Sequence, residues 1–419
     1  MSGVIGGWIA DRLLGTSRTV FYGGVLIMTG HIVLSLPAGA TALFFSMGLI
    51  VIGTGLLKPN VSNIVGDLYS KTDSRRDAGF SIFYTGINAG AFLSPIVVDG
   101  VRLQAGFHAG FAVAAVGMFL GLVVFVLTKK KNLGQAGQYV LNPMSKEERT
   151  RFYKIASISI VGIVIIGWIA STIGWLTINS FSFVVTILGI IIPIFYFYFM
   201  IRSPKITSDE RSRIYAYIPL FLAAVIFWAI QEQGTYVLSK FADQRTELSF
   251  LGFEFSPALF QSVNPLFIIA LAPVFASIWI KLGDRQPTTL QKFSFGLMFA
   301  GLSFIVMMVP GLLFGTEGLV SPLWLVFSFL LVVIGELLLS PVGLSATTKL
   351  APAAFSAQTM SLWFMTNATG QAVNAQIVKF YDRNTEVMYF GITGLVAVFF
   401  GLLLLAFSKK LQVLMKGIR

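Results

Sequence analysis

Long apolar segments recur along the whole chain, and their length limits the folds that it can adopt. The sequence of 419 residues is 56% hydrophobic and only 11% charged. A helix needs about 20 apolar residues to cross a bilayer, and backbone in lipid must form helices or closed barrels. We predict an all-α polytopic membrane protein with twelve spanning segments: 19–37, 41–69, 80–101, 107–128, 155–172, 174–200, 213–239, 256–280, 290–312, 321–348, 353–380 and 386–408.

Three ionisable side chains, Lys58, Glu232 and Glu336, lie inside these segments. A charge at membrane depth costs at least about 2.5 kcal/mol on insertion scales. Side chains kept at that cost usually face a cavity and serve function, so these three are the first candidates for a functional site. For Lys58 an alternative stays open, in which its long side chain extends to the membrane surface.

The net charge of +12 is distributed unevenly between the two sides of the predicted membrane. If the loop 6–18 lies inside and connections alternate, most of the 30 Lys and Arg residues lie inside. This is the positive-inside pattern, so the basic excess reflects topology and excludes nucleic-acid binding. The C-terminus is then cytoplasmic. The basic residues outside are Arg102, Lys240, Arg245, Lys379 and Arg383.

A weak internal repeat divides the chain into two related parts. The segments GGWIADRLLGTSR (6–18) and WIKLGDRQPTT (279–289) each combine a helix end with an Asp-Arg pair and a short polar loop. In two-halved transporters such loops occupy equivalent places in six-helix halves. The loop residues that we single out are Asp11, Arg12, Asp284 and Arg285.

Counting helices around these loops predicts three domains. Residues 1–128 form a partial N-terminal bundle, 129–212 form a cytoplasmic linker with two inserted helices, and 213–419 form a C-terminal bundle. The core then has ten of twelve helices, without the first helix and most of the second. A natural ten-helix core is the alternative.

Polar side chains cluster around the three ionisable residues. In the first half, Lys58 precedes a proline and an asparagine, and Asn88 follows Tyr84 by one helical turn. In the second half, the set comprises Glu232, Asn264, Glu336, Ser340, Trp363 and Asn367. An aromatic wall beside a carboxylate is suited to an ammonium group.

These clusters indicate a substrate that carries both charges. Lys58 can hold a carboxylate and Glu336 an ammonium, while Glu232 can carry a proton because a buried carboxyl responds to nearby charge. The charged ends of a dipeptide lie roughly 5–7 Å apart, a span that two helices can bracket. No cysteine, only two histidines and no phosphate-binding GK[ST] loop are present, so we expect no metal, no cofactor and no enzyme activity.

Six motifs together resemble the proton-dependent oligopeptide transporter family of the major facilitator superfamily. They are GGWIADR, GTGLLKPNVSNIVGDLY, FYTGINAGAFLSP, FWAIQEQG, QSVNPLFI and ELLLSPVGLSATTKLAP. The resemblance implies two six-helix bundles with two extra helices between them, as in bacterial members. It also implies import of di- and tripeptides by proton symport across the plasma membrane, driven by the proton gradient.

The resemblance further implies roles for single residues. Lys58 matches a lysine implicated with the peptide carboxylate and in proton coupling, and Asn88 an asparagine that contacts the peptide backbone. Glu232 matches a gating glutamate whose partner is an arginine on the first helix. Asn264 and Glu336 match residues that hold the amino end, and Trp363 lies in the matching pocket.

Two other functions stay open from the sequence. The ExxER motif of the family's first helix is absent, so the chain can also be interpreted as an N-terminally truncated fragment that is inactive or only binds. A carrier of another small zwitterion or anion is the second alternative. In each case we expect a monomer surrounded by membrane lipid.

Overall fold

A computed structural model describes residues 2–68, 76–134, 137–138, 140, 143–175, 177–250 and 252–418. The side chains of Asp11 and Asp284 lie outside this description, so their predicted loop roles are not assessed. The chain forms two compact units, Met1–Leu176 and Thr177–Arg419, and each is described by itself.

The described residues of the first unit are mostly helical. Its helices are α1 (Ser2–Ile9), α2 (Thr16–Leu34), α3 (Gly39–Asp67), α4 (Arg76–Asn132) and α5 (Lys146–Thr172), with a π-helical turn at Ala10–Leu14. Helix α4 is two helices joined at Gly106, whose φ of 85° is a left-handed conformation that favours glycine. This joint separates the predicted segments 80–101 and 107–128.

Glycines bring α3 close to its neighbours in this unit. A Cβ atom on Gly6 would lie 2.0 Å from the carbonyl oxygen of Gly55, and one on Gly23 would lie 2.8 Å from that of Gly53. Small residues at such contacts let helix backbones approach closely.

The second unit contains eight helices among its described residues and one short hairpin. The helices are α6 (Ile178–Arg202), α7 (Ser208–Gln231), α8 (Val237–Arg245), α9 (Val263–Leu282), α10 (Thr289–Phe314), α11 (Leu323–Leu350), α12 (Ser356–Ile377) and α13 (Glu386–Leu414). Strands β1 (Ser249–Phe250) and β2 (Phe253–Glu254) pair antiparallel. Single 3-10 turns connect several of these helices.

The predicted all-α membrane architecture is confirmed. Eight of the described helical stretches are long and apolar enough to cross a membrane: Ala42–Val65, Ile82–Asn132, Ser182–Arg202, Ser208–Arg245, Pro257–Leu282, Thr289–Phe314, Leu323–Thr347 and Glu386–Leu414. The predicted segments 19–37, 155–172 and 353–380 also lie in helices, namely α2, α5 and α12, but these are outside that set.

Helix α6 packs against α12 in the second unit. Thr186 donates its hydroxyl to the carbonyl of Ala372 at 2.7 Å, and Thr369 donates to the carbonyl of Gly189 at 2.8 Å. The predicted inserted domain 129–212 thus has one helix, α5, in the first unit and the other, α6, in the second. The three-domain division stays a prediction.

Candidate functional site

Three consecutive side chains at the end of α7 reach three different helices. Gln231 donates its Nε2 to Oε2 of Glu336 on α11 at 3.0 Å. Glu232 accepts a hydrogen bond at Oε1 from Nδ2 of Asn367 on α12 at 2.7 Å. Gln233 accepts one at Oε1 from the hydroxyl of Tyr389 on α13 at 2.7 Å.

The local backbone explains this divergence. Helix α7 ends at Gln231 and continues as a 3-10 turn over Glu232–Thr235, after which Tyr236 leaves helical geometry with φ −123° and ψ −67°. Successive side chains on a helix point about 100° apart, so neighbours in sequence cannot face one another. The sequence QEQ therefore distributes its polar groups around α7 instead of concentrating them on one side.

Glu336 is a buried carboxylate with an amide as its partner. Its side chain is 8% exposed, and among the described residues no Lys or Arg forms an ion pair with it. A carboxylate in this position gains stability from any cation that enters the site, because burial without a counter-charge is costly. The geometry therefore favours binding of a positively charged group.

Glu232 lies in a chain of amides. Asn367, its donor, accepts a hydrogen bond at Oδ1 from Nε2 of Gln371 at 3.1 Å. The structure brings Asn367 to Glu232, and the predicted substrate-binding role of Asn367 stays a prediction. Within the described part of the chain Glu232 forms no ion pair.

The remaining residues of the second half lie on the helices that the sequence predicts. Ser340 follows Glu336 by one turn of α11 and is half-buried, and Asn264 is half-buried in the first turn of α9. Trp363 is buried in the core, where it packs edge-on against Phe293 at 6.2 Å between ring centroids.

Two neighbouring aromatic residues of α12, Trp363 and Phe364, differ in their exposure. Phe364 is 66% exposed, because adjacent residues of α12 point in different directions. Trp363 instead fills the space over Gly343, where a Cβ atom would lie 1.9 Å from the indole ring. Any pocket role of Trp363 stays a prediction.

In the first unit Lys58 and Asn88 lie inside helices, as predicted. Lys58 is exposed on α3 and, among the described residues, forms no ion pair. Asn88 is buried on α4 and donates its Nδ2 to the carbonyl of Tyr84 at 3.0 Å. The lysine thus carries a charge that is free to meet an anion.

The loop residues of the two repeats behave differently. Arg12 forms a salt bridge with Glu148 on α5, with Nη2 and Oε1 3.0 Å apart. Arg285 is exposed in the 3-10 turn Gly283–Arg285. In both repeats the loop ends one helix and starts the next, as the shared motif predicts.

Comparison with known proteins decides the family. The model of the POT family, the proton-dependent oligopeptide transporters, matches residues 17–396. This chain belongs to the POT family. The chain is 47% identical to the di-/tripeptide transporter of Lactococcus lactis subsp. cremoris, over 100% of its own length and 85% of that protein's. It is 56% identical to the uncharacterized transporter YclF of Bacillus subtilis (strain 168), over 100% of its own length and 84% of that protein's.

Solved structures of POT family members share this fold. A peptide transporter POT crystallised in complex with sulfate is 62% identical, with a TM-score of 0.96 over 99% of this chain and 84% of that one. A POT family transporter in complex with 5-aminolevulinic acid is 46% identical, with a TM-score of 0.93 over 98% of this chain and 85% of that one. The predicted family and major facilitator fold are confirmed, and this POT family member is a multi-pass membrane protein of a transporter family.

Sequence reasoning missed two polar contacts of this POT family member. Gln231 is not among the predicted site residues, although an amide next to an acid at membrane depth is itself a signal. The ion pair between Arg245 and Glu386 had no signal, because its partners lie 141 positions apart at the ends of two apolar segments.

Proposed function

We propose that the chain imports di- and tripeptides together with protons by alternating access. The observation that carries this proposal is Glu336, a buried carboxylate held by an amide within a POT family fold. The relative from Lactococcus lactis is a di-/tripeptide transporter, and its similarity over the whole chain supports the same substrate class. The proton gradient supplies the driving force, and no cofactor takes part.

In this proposal Glu336 binds the amino end of the peptide. A primary ammonium offers a positive charge and three N–H donors, which match a carboxylate that has no cationic neighbour among the described residues. Ser340, Asn264 and Asn367 supply further polar contacts on the second unit. Trp363 supports this region from the core.

Lys58 holds the carboxylate end, and Asn88 contacts the peptide backbone. An ammonium side chain on a helix within the membrane interacts with a carboxylate as a compact point charge. Because Lys58 is exposed on its own unit, it is available for this contact.

Glu232 carries the coupled proton. Its carboxyl accepts a hydrogen bond from Asn367 and forms no ion pair in the described part of the chain, so it is available to accept a proton. Proton uptake at Glu232 then alternates with its release as the site changes its opening, with Lys58 assisting. This assignment explains why an acid remains at membrane depth.

The protein is proposed to act as a monomer in the plasma membrane, with its C-terminus in the cytoplasm. The distribution of Lys and Arg supports this orientation. Lipid surrounds the exposed apolar faces of the helices.

The test is uptake of a radiolabelled dipeptide into proteoliposomes with an imposed pH gradient. We expect Glu336→Gln to abolish uptake, because a neutral amide cannot pair with the ammonium. Glu317→Gln is the matched control, since Glu317 is 84% exposed outside the site. Uptake by Glu336→Gln equal to that of the unaltered protein would contradict the proposal.

A second candidate substrate is another small zwitterion. A POT family structure in complex with 5-aminolevulinic acid, which carries an amino and a carboxyl group, favours this option. Competition between a labelled dipeptide and this compound separates the two substrates. No observation on the described residues favours the binding-only alternative.

A further inference from the structure

In the described part of the chain, the side-chain amide of Gln231 forms a hydrogen bond through its nitrogen but not through its oxygen. Its Nε2 donates to Oε2 of Glu336 at 3.0 Å, whereas its Oε1 is buried and accepts from no donor in the described part of the chain. Buried side-chain oxygens in native proteins nearly always have a partner, so an acceptor left over beside a functional acid needs an explanation.

The surroundings of this oxygen indicate which kind of group could donate to it. The amide of Gln231 is bonded to the carboxyl of Glu336, so its oxygen lies near that acid. Both oxygens of an ionised carboxyl also accept hydrogen bonds. A group that binds here meets several acceptors and one negative charge. A primary ammonium, with three donors and a positive charge, satisfies them together.

We propose that Gln231 is a positioning and specificity residue for the substrate's amino end. Its Nε2 fixes the carboxylate of Glu336, and its Oε1 accepts one N–H of the ammonium that Glu336 binds. This inference rests on the proposed function. It adds that a neutral side chain, Gln231, makes the site prefer substrates with a free amino group.

The alternative is that Gln231 only packs between α7 and α11. A packing role would make its replacement lower stability without changing which substrates bind. The two roles differ in their dependence on the charge and donors of the substrate. Substrate pairs that differ only at the amino end therefore separate them.

The first experiment measures binding of Ala-Ala and of N-acetyl-Ala-Ala to the purified full-length protein in detergent. For the unaltered protein we expect strong preference for the free amine. Gln231→Leu should lower the affinity for Ala-Ala at least about tenfold while leaving the weak binding of the acetylated peptide unchanged. Gln376→Leu is the control, because this amide on α12 bonds to Thr186 on α6 instead of to the site.

The second experiment uses Gln231→Glu, which has nearly the same shape. The introduced carboxyl keeps an acceptor, and it can donate to Glu336 only when protonated. Its affinity for Ala-Ala should match that of the unaltered protein at acid pH and depart from it as pH rises. A ratio of affinities that stays constant over the same pH range would contradict this role.

These outcomes separate the inference from the proposed function. An unchanged preference in Gln231→Leu, or a pH-independent ratio in Gln231→Glu, overturns the role of Gln231. If either of these results is found but Glu336→Gln abolishes uptake, the proposed function stands without a role for Gln231. If the unaltered protein binds no dipeptide, both fail. A thermal unfolding curve for each variant confirms that it is folded.

Discussion

Arg245, the last residue of α8, and Glu386, the first of α13, form an ion pair whose side chains are 2% and 0% exposed. The nitrogen Nε of Arg245 lies 3.0 Å from Oε2 of Glu386, and its Nη2 donates to the carbonyl of Gly315 at 2.7 Å. One guanidinium therefore joins the ends of three helices, α8, α10 and α13.

Removal of one partner from this pair should strongly destabilise the second unit. Glu386→Gln leaves a buried guanidinium without its counter-charge, which costs about 3–5 kcal/mol. We expect a clear decrease in the melting temperature in detergent. The control is Glu317→Gln, which breaks the exposed pair with Arg383 and should change the melting temperature little.

Helix α6 should be sensitive to size at Gly189. A Cβ atom there would lie 2.8 Å from the Cβ of Ala372, so Gly189→Leu should push α6 away from α12 and break its hydrogen bonds. We expect faster hydrogen exchange in α6 and lower thermal stability. Gly162→Leu on α5 is the matched control, since nothing lies within 4 Å of a Cβ at that position. Equal effects of the two substitutions would contradict this packing.

Loss of the amide beside Glu232 should cost stability. Asn367→Leu leaves the half-buried carboxylate without its described donor, and an unsatisfied polar group costs about 1–3 kcal/mol. Thermal unfolding measures this effect. Gln371→Leu removes only the outer hydrogen bond to Asn367 and should have a smaller one. A larger effect at Gln371 would show that the outer amide carries the network.

The start of α5 should loosen in acid. The backbone amide of Ser145 and then the guanidinium of Arg12 hold the pKa of Glu148 below its usual range. A lowered pKa means that the stabilisation is present above the unfolded pKa and is lost as pH falls through the lowered value.

Hydrogen exchange at 145–150, corrected for the intrinsic effect of pH, measures this loosening. Glu148→Gln should give the loosened state already at neutral pH, whereas Glu147→Gln should resemble the unaltered protein. If protection at 145–150 does not depend on residue 148, the salt bridge with Arg12 does not hold this helix.

Much of the fold could be predicted because helices in lipid depend on local sequence. Apolar length predicted the helices. The partner of Glu232 could not be predicted, because an amide 135 positions away contacts it only after α7 and α12 pack. The sequence therefore predicts candidate site residues but not the contacts between them.

Burial of single aromatic residues also lay beyond the sequence. Trp363 and Phe364 are neighbours of similar chemistry, yet one is 6% and the other 66% exposed. Which of two neighbours faces the core depends on the rotation of α12 about its axis. That rotation is set by contacts such as Trp363 with Gly343, which no local pattern encodes.

The three side chains that end α7 make this turn intolerant of any change in chain length. Each of Gln231, Glu232 and Gln233 contacts a different helix, so their order in sequence is also their order around the axis. One residue inserted before Gln231 would rotate all three by about 100° and offer each to the wrong helix. A substitution in this turn removes one contact, but an insertion or deletion would break all three contacts at once.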